Sequence, residues 1–270
     1  MKYIDAHTHL NLPEFENDRE LLAQKTLDDD VMVVNVGTGE QTSIVAVDLA
    51  TQHDHMRAIV GLHPIYTIPS YASDVGEKFD PEFYRILIKN DTQKNILAIG
   101  ECGLDYFHGN DTEKDLQKQV FRAQVELAIE TELPLMLHIR PSENTYDAYH
   151  DVLNILREYK VAAPNLIGDV HFFAGTTEIA QEFLDLGFYI SFTGVITFAK
   201  MYQELVRFVP MNRILSETDA PYVSPVPFRG QRNEPSHVRE VVKKIAEIKN
   251  IPESDVATQI MENARTLFKL

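Results

Sequence analysis

The fold class this sequence predicts is a (β/α)8 barrel, on three observations. Eight short apolar, β-branched runs recur at fairly even spacing. Longer segments with a helical period separate them. Histidine and carboxylate side chains stand at the downstream ends of five runs, which is where barrel enzymes carry their chemistry. An open doubly wound sheet is the alternative for the same alternation.

The eight runs are residues 3–10, 31–37, 57–63, 96–101, 135–139, 166–173, 188–194 and 213–219, each read as a strand. Between the fourth and fifth, residues 113–131 repeat Leu116, Val120, Ala123 and Leu127 at steps of four, three and four, an amphipathic stripe. Residues 234–248 do the same with Val238, Val241, Val242, Ile245 and Ile248, and Pro235 suits a first helical turn. A final helix is expected over about 254–269, and residues 221–235 read as a Pro-rich loop after the eighth strand. No repeat or linker divides the chain, so residues 1–270 are expected to form one domain.

Composition narrows the function. The 25 Lys and Arg against 41 Asp and Glu leave a net charge of −16, which argues against a general nucleic-acid coat or docking on anionic membrane. The single cysteine, Cys102, excludes an internal disulfide framework and fits a reducing cytosol. With no apolar leader after MKYIDAHTHL and no long apolar span, the expected setting is the cytoplasm.

The strand ends carry residues that are wrong for a core and right for a metal. His7 and His9 alternate onto one face of the first strand. Glu101 ends the fourth, His138 the fifth, His171 lies near the end of the sixth and Asp219 ends the eighth. Burying four imidazoles and two carboxylates on one rim without a cation would be costly. Six donors exceed the need of one tetrahedral ion, so two divalent ions are expected, with Glu101 bridging through its two oxygens. Asp219 could both bind metal and accept a proton from the attacking water. Four imidazoles suit Zn, Mn, Co or Ni better than Mg.

These residues and their order resemble the TatD family of metal-dependent deoxyribonucleases, within the amidohydrolase superfamily. The resembling motifs are Ile4-Asp5-Ala6-His7-Thr8-His9-Leu10, Gly61-Leu62-His63-Pro64, the run from Ala98 to Asp105, His138-Ile139-Arg140, His171-Phe172-Phe173-Ala174-Gly175, and the run from Glu217 to Tyr222. Arg229 to Pro235 and Asn263 to Phe268 also fit. The resemblance implies a distorted barrel, metals held by His7, His9, Glu101, His138, His171 and Asp219, Mg as a further candidate ion, and His63 beside the site touching substrate phosphate. It implies a nuclease, with 3′-exonuclease action on single-stranded DNA ends in repair or degradation. Two positions depart from the family pattern. Phe172 stands where many members have Cys, and by alternation should point away from His171. Asp169 stands where the family is usually apolar.

No lysine lies between Lys94 and Lys114, so a carboxylated-lysine bridge is unavailable at the fourth strand end. Asp5 and Glu217, two residues before His7 and Asp219, are expected beneath the metals, orienting imidazoles; Asp105 could serve similarly from the loop after strand four. Arg140 and Arg229 are candidate phosphate ligands, with Arg232 a further cation of the rim. His53, His55, His108, His150 and His237 receive no role, and Cys102 should be a small packed side chain. The leading reading is a divalent-metal phosphodiesterase acting on single-stranded DNA or a nucleotide phosphodiester. An amide, ester or lactone hydrolase, and a silent metal-stabilised binding protein, are the alternatives.

Overall fold

The computed structural model describes residues 1–68, 76–108 and 110–270. Its elements run β1 (Tyr3–Thr8), α1 (Arg19–Asp28), β2 (Val31–Val36), α2 (Glu40–Gln52), β3 (Met56–Val60), α3 (Pro81–Asn90), β4 (Ile96–Asp105) and α4 (Asp111–Thr131). They continue as β5 (Leu135–Arg140), α5 (Asp147–Lys160), β6 (Gly168–Val170), α6 (Thr177–Asp185), β7 (Tyr189–Phe192), α7 (Gln203–Phe208), β8 (Ile214–Ser216), α8 (Val238–Lys249) and α9 (Glu253–Phe268).

All neighbouring strands pair in parallel, in the order β1 to β8. Interior on one side and helices on the other explain why strand residues of both parities are buried. The sheet comes back on itself at β1 and the segment after β8. There the Asp219 N–H donates to the His7 carbonyl and the His9 N–H to the Ala220 carbonyl, each at 2.9 Å. The nearly closed barrel is the predicted fold class.

Helix α8 buries the predicted stripe of Val238, Val241, Val242 and Ile245. Its Pro235 sits one turn earlier, in a short 3-10 turn over Pro235–His237. Helix α4 starts at a capping box: Asn110 Oδ1 accepts from the N–H groups of Thr112 and Glu113, and Glu113 returns a carboxylate to the Asn110 N–H. Its expected stripe is displaced by one position. Leu116 is exposed, and the buried face carries Gln117, Phe121, Gln124, Val125 and Ala128, with Leu127 also buried. The two glutamines are buried because each closes a pair of backbone bonds. Gln117 bonds the N–H and the carbonyl of Asp105, and Gln124 those of Leu62, at 2.8–2.9 Å. Helix α4 thereby fixes the end of β4 and the residue preceding His63.

The strand boundaries shift where function begins. β4 runs past Glu101 to Asp105, so Asp105 belongs to the strand and not to the loop after it. Gly103 permits this: its φ is 137°, and a Cβ there would lie 2.1 Å from the His138 carbonyl oxygen. β6 and β8 stop at Val170 and Ser216, short of His171 and Asp219.

Candidate metal centre

The six donors predicted from the strand ends converge. His7 Nε2 lies 3.1 Å from His9 Nε2 and 3.4 Å from Glu101 Oε2. His9 Nε2 lies 3.6 Å from the same Glu101 oxygen and 3.5 Å from Asp219 Oδ1, and His7 Nε2 is 3.9 Å from Asp219 Oδ1. Donors held at about 2.1 Å in a tetrahedron stand about 3.4 Å apart, so this spacing fits a shared cation. The other oxygen of Glu101 faces a second group: Oε1 is 2.9 Å from His138 Nδ1, 3.2 Å from His171 Nε2 and 3.5 Å from His63 Nε2.

The ring protons are placed for ligation. His9 Nδ1 donates to the Val36 carbonyl at 2.8 Å, leaving a lone pair on Nε2. His171 Nδ1 meets Glu217 Oε1 at 3.0 Å, which frees its Nε2. His138 is turned the other way, with Nε2 on Asp105 Oδ2 at 3.2 Å and Nδ1 toward Glu101. The buried His7 Nδ1 has no partner among the described residues.

His63 differs. Its Nδ1 accepts the Ile65 N–H at 3.1 Å, so the neutral ring carries its proton on Nε2, facing Glu101 and the cavity. That nitrogen is a donor, with no lone pair to give a metal. Burial, aided by His138, pushes His63 down to about 3, so the ring is neutral.

Charge follows the same plan. Burial raises and the surrounding imidazoles lower the Glu101 carboxyl; the imidazoles win, and it lies well below its usual range. Burial would lower His138, but its bonds to Asp105 and Glu101 hold it up at about 9. Burial would raise Asp105, but His138 brings it to about 2. His138 Nδ1 and Glu101 Oε1, 2.9 Å apart, both face the space where a cation would sit. The donor set therefore fits divalent ions.

Beneath the donors lie three buried acids. Glu217 orients His171, as expected, and also accepts the Phe172 N–H at 2.8 Å. Asp5 does not reach an imidazole. It accepts from Thr218 N–H at 2.7 Å and Thr218 Oγ1 at 2.5 Å, and so holds the residue before Asp219. Asp169 does point inward. Ser191 Oγ lies 2.8 Å from Asp169 Oδ2 and 2.7 Å from Glu217 Oε2. One hydroxyl has one proton to donate, so one of the acids must carry its own. Burial, with the Glu217 charge beside it, pushes the Asp169 carboxyl up, which favours Asp169 as the acid that keeps a proton.

His9, Glu101, His138, His171 and Asp219 line a cavity of about 590 Å³, within the range of small-molecule sites, with His7 fully buried behind them. Arg140 lines it, with its guanidinium 4.0 Å from the Phe107 ring and no carboxylate partner among the described residues. Arg229 does not line it; it rests 3.9 Å from the Phe198 ring and donates to the Ser224 carbonyl. Arg232 is not a free rim cation, because it pairs with Asp18. Phe172 also departs from expectation. Its φ of 45° breaks the strand alternation and brings it into the cavity wall. His108 lines the cavity too, with Nδ1 3.0 Å from Asp105 Oδ1; the turn after β4 brings it back, and its spacing three residues after Asp105 was the available signal. Cys102 is buried and packed in the core, and burial pushes its thiol up.

An eight-stranded parallel barrel with a His-x-His pair, two further imidazoles and two carboxylates at its strand ends defines a metal-dependent hydrolase of the barrel class. Residues 4–269 match the TatD related DNase family model, and the chain belongs to that family. It is 37% identical over 270 residues to YabD, an uncharacterized metal-dependent hydrolase of Bacillus subtilis, covering 98% of each chain. It is 33% identical over 276 residues to YcfH, an uncharacterized metal-dependent hydrolase of Escherichia coli K12, covering 100% of this chain and 97% of that one. The crystal structure of YJJV, a TatD homologue from Escherichia coli K12, superposes with a TM-score of 0.86 at 27% identity, covering 100% and 98% of the two chains. Among the described residues no helix is long and apolar enough to cross a membrane.

Proposed function

We propose that this protein hydrolyses phosphodiesters of DNA, removing nucleotides from single-stranded 3′ ends. The observation that carries the reading is Glu101 offering one oxygen to the His7, His9 and Asp219 group and the other to His138 and His171. His7, His9, Glu101 and Asp219 would hold one divalent ion, Mg, Mn or Zn, and Glu101, His138 and His171 a second. Bound there, the ions would supply Lewis-acid activation of water and neutralise phosphate charge.

The chain's own groups do the rest. Asp219 sits at the floor's edge with its carboxyl held below the usual range by His9 against burial, and accepts the proton of the attacking water at Oδ. His63 donates from Nε2–H to a phosphate oxygen as charge builds. Arg140, without a carboxylate partner among the described residues, takes a neighbouring phosphate with two N–H groups. A lactone or amide would leave both donors idle.

The test is a metal-reconstituted assay of oligonucleotides, single- and double-stranded, with open and blocked ends. Shortening of single strands with open 3′ ends is expected. Turnover of lactones with none of DNA would overturn the reading.

A further inference from the structure

Around its polar floor the cavity turns aromatic. Ring to ring, Tyr66 stands 6.1 Å from His63, Phe172 6.0 Å from His171 and Tyr222 6.5 Å from His9. All three line the cavity, and Tyr222 is 51% exposed there. Phe172 adopts a left-handed backbone that side chains other than glycine rarely take. Glu217 holds it by accepting its N–H. Core packing does not account for this ring: Phe173 joins the hydrophobic core and Phe172 does not. The backbone turn sets an aromatic face beside the donor imidazoles.

We propose that Phe172 and Tyr222 stack on the base of the strand's terminal nucleotide while its phosphate lies over Glu101 and the imidazoles. The inference rests on the phosphodiesterase reading and narrows it. The enzyme selects a substrate with a flat base beside the scissile phosphate, with little sequence preference, because every base offers a π-face. Arg140, on the same cavity wall and without a carboxylate partner among the described residues, suits the next phosphate along.

The experiment compares two single strands, identical except that the 3′-terminal residue carries a base in one and is a tetrahydrofuran abasic residue in the other. Binding is read on phosphorothioate-linked forms that resist cleavage, and kcat/KM on ordinary ones. Wild-type protein should favour the base-bearing end about tenfold in both, from the worth of one base–aromatic stack. Phe172→Leu and Tyr222→Leu should each shrink the ratios to about threefold or less, on the same basis. Circular dichroism checks folding, and Tyr222 is exposed, so its replacement leaves the core intact. Equal treatment of the two strands by wild-type protein, or unchanged ratios in both folded variants, overturns the stacking role alone. Cleavage of neither strand overturns the phosphodiesterase reading, and this inference falls with it.

Discussion

The Asp219 N–H donates to the His7 carbonyl at 2.9 Å, so a backbone bond between two candidate ligands helps draw the barrel's first and last strands together. β8 ends at Ser216, and the pairing that continues to Asp219 and Ala220 is made by chain with a left-handed residue, Asp219 at φ 54°. Fold closure and donor placement are thereby one event. A variant that disturbs this junction should lose barrel stability and metal affinity together.

His63→Ala should keep the metal content of the wild type and lose activity. The Ile65 N–H occupies the His63 Nδ1 lone pair, so in the neutral ring Nε2 carries the proton, and the ions are expected to be held without this ring although it stands with Glu101 and His138. Loss of one donor to the developing charge should cost about 10²-fold in kcat, the order seen when such a donor is removed. Elemental analysis is the check. Departure of a stoichiometric ion with the imidazole would make His63 a ligand.

Asp169→Asn should be nearly neutral, because an amide can donate to Ser191 as the protonated acid does. Asp169→Leu should destabilise by about 1–3 kcal/mol, since the Ser191 hydroxyl is then left with a missing partner in a buried site. Thermal unfolding of both variants separates the cases. An Asn variant as damaged as the Leu variant would mean that the relay requires an ionised Asp169.

Metal binding should tighten as pH rises. In the metal-free protein His138 is held up at about 9 by Asp105 and Glu101 against burial, so its contribution to stability is present below its unfolded value near 6.5 and lost as pH passes about 9. A divalent ion must displace that proton. Between pH 6 and 9 the metal-free melting temperature should therefore fall and the increment given by added metal should grow. Calorimetry with metal and with chelator measures both. A pH-independent increment would contradict displacement of the His138 proton.

Strand ends were the legible part of the site, because parity and position within a strand are sequence properties. They placed His7 with His9, and Glu101, His138, His171 and Asp219 on one rim. Three things lay beyond that reach. Positive φ at Phe172 and Asp219 breaks alternation, so Phe172 enters the cavity wall where strand geometry turns it away. Buried Gln117 and Gln124 read as polar positions of a helix, and only the loose backbone ends of β4 and the β3 loop explain them. Arg232 and Asp18 pair across 214 residues of sequence, which removes Arg232 from the rim.

Binding to single-stranded DNA should depend weakly on salt. The chain carries −16, and with Arg232 paired and Arg229 away from the cavity wall, Arg140 is the predicted phosphate cation that lines the cavity, beside the two ions the site would hold. Neutralising two or three phosphates gives a log–log slope near −2, at about −0.7 per phosphate for single strands. Binding across a salt series reads it directly. A slope near −8, or equally fast cutting of circular duplex, would reveal an extended groove.

The central claim is that Glu101 joins two ion sites through its two oxygens, and Glu101→Gln tests it most directly. Metal stoichiometry, circular dichroism and turnover are measured on the same preparation. An amide keeps the shape but loses the shared charge, so the fold should persist, bound metal should fall below two ions per chain, and the rate should drop at least about hundredfold. A variant that keeps two ions, or more than about a tenth of the wild-type rate, would contradict the bridge.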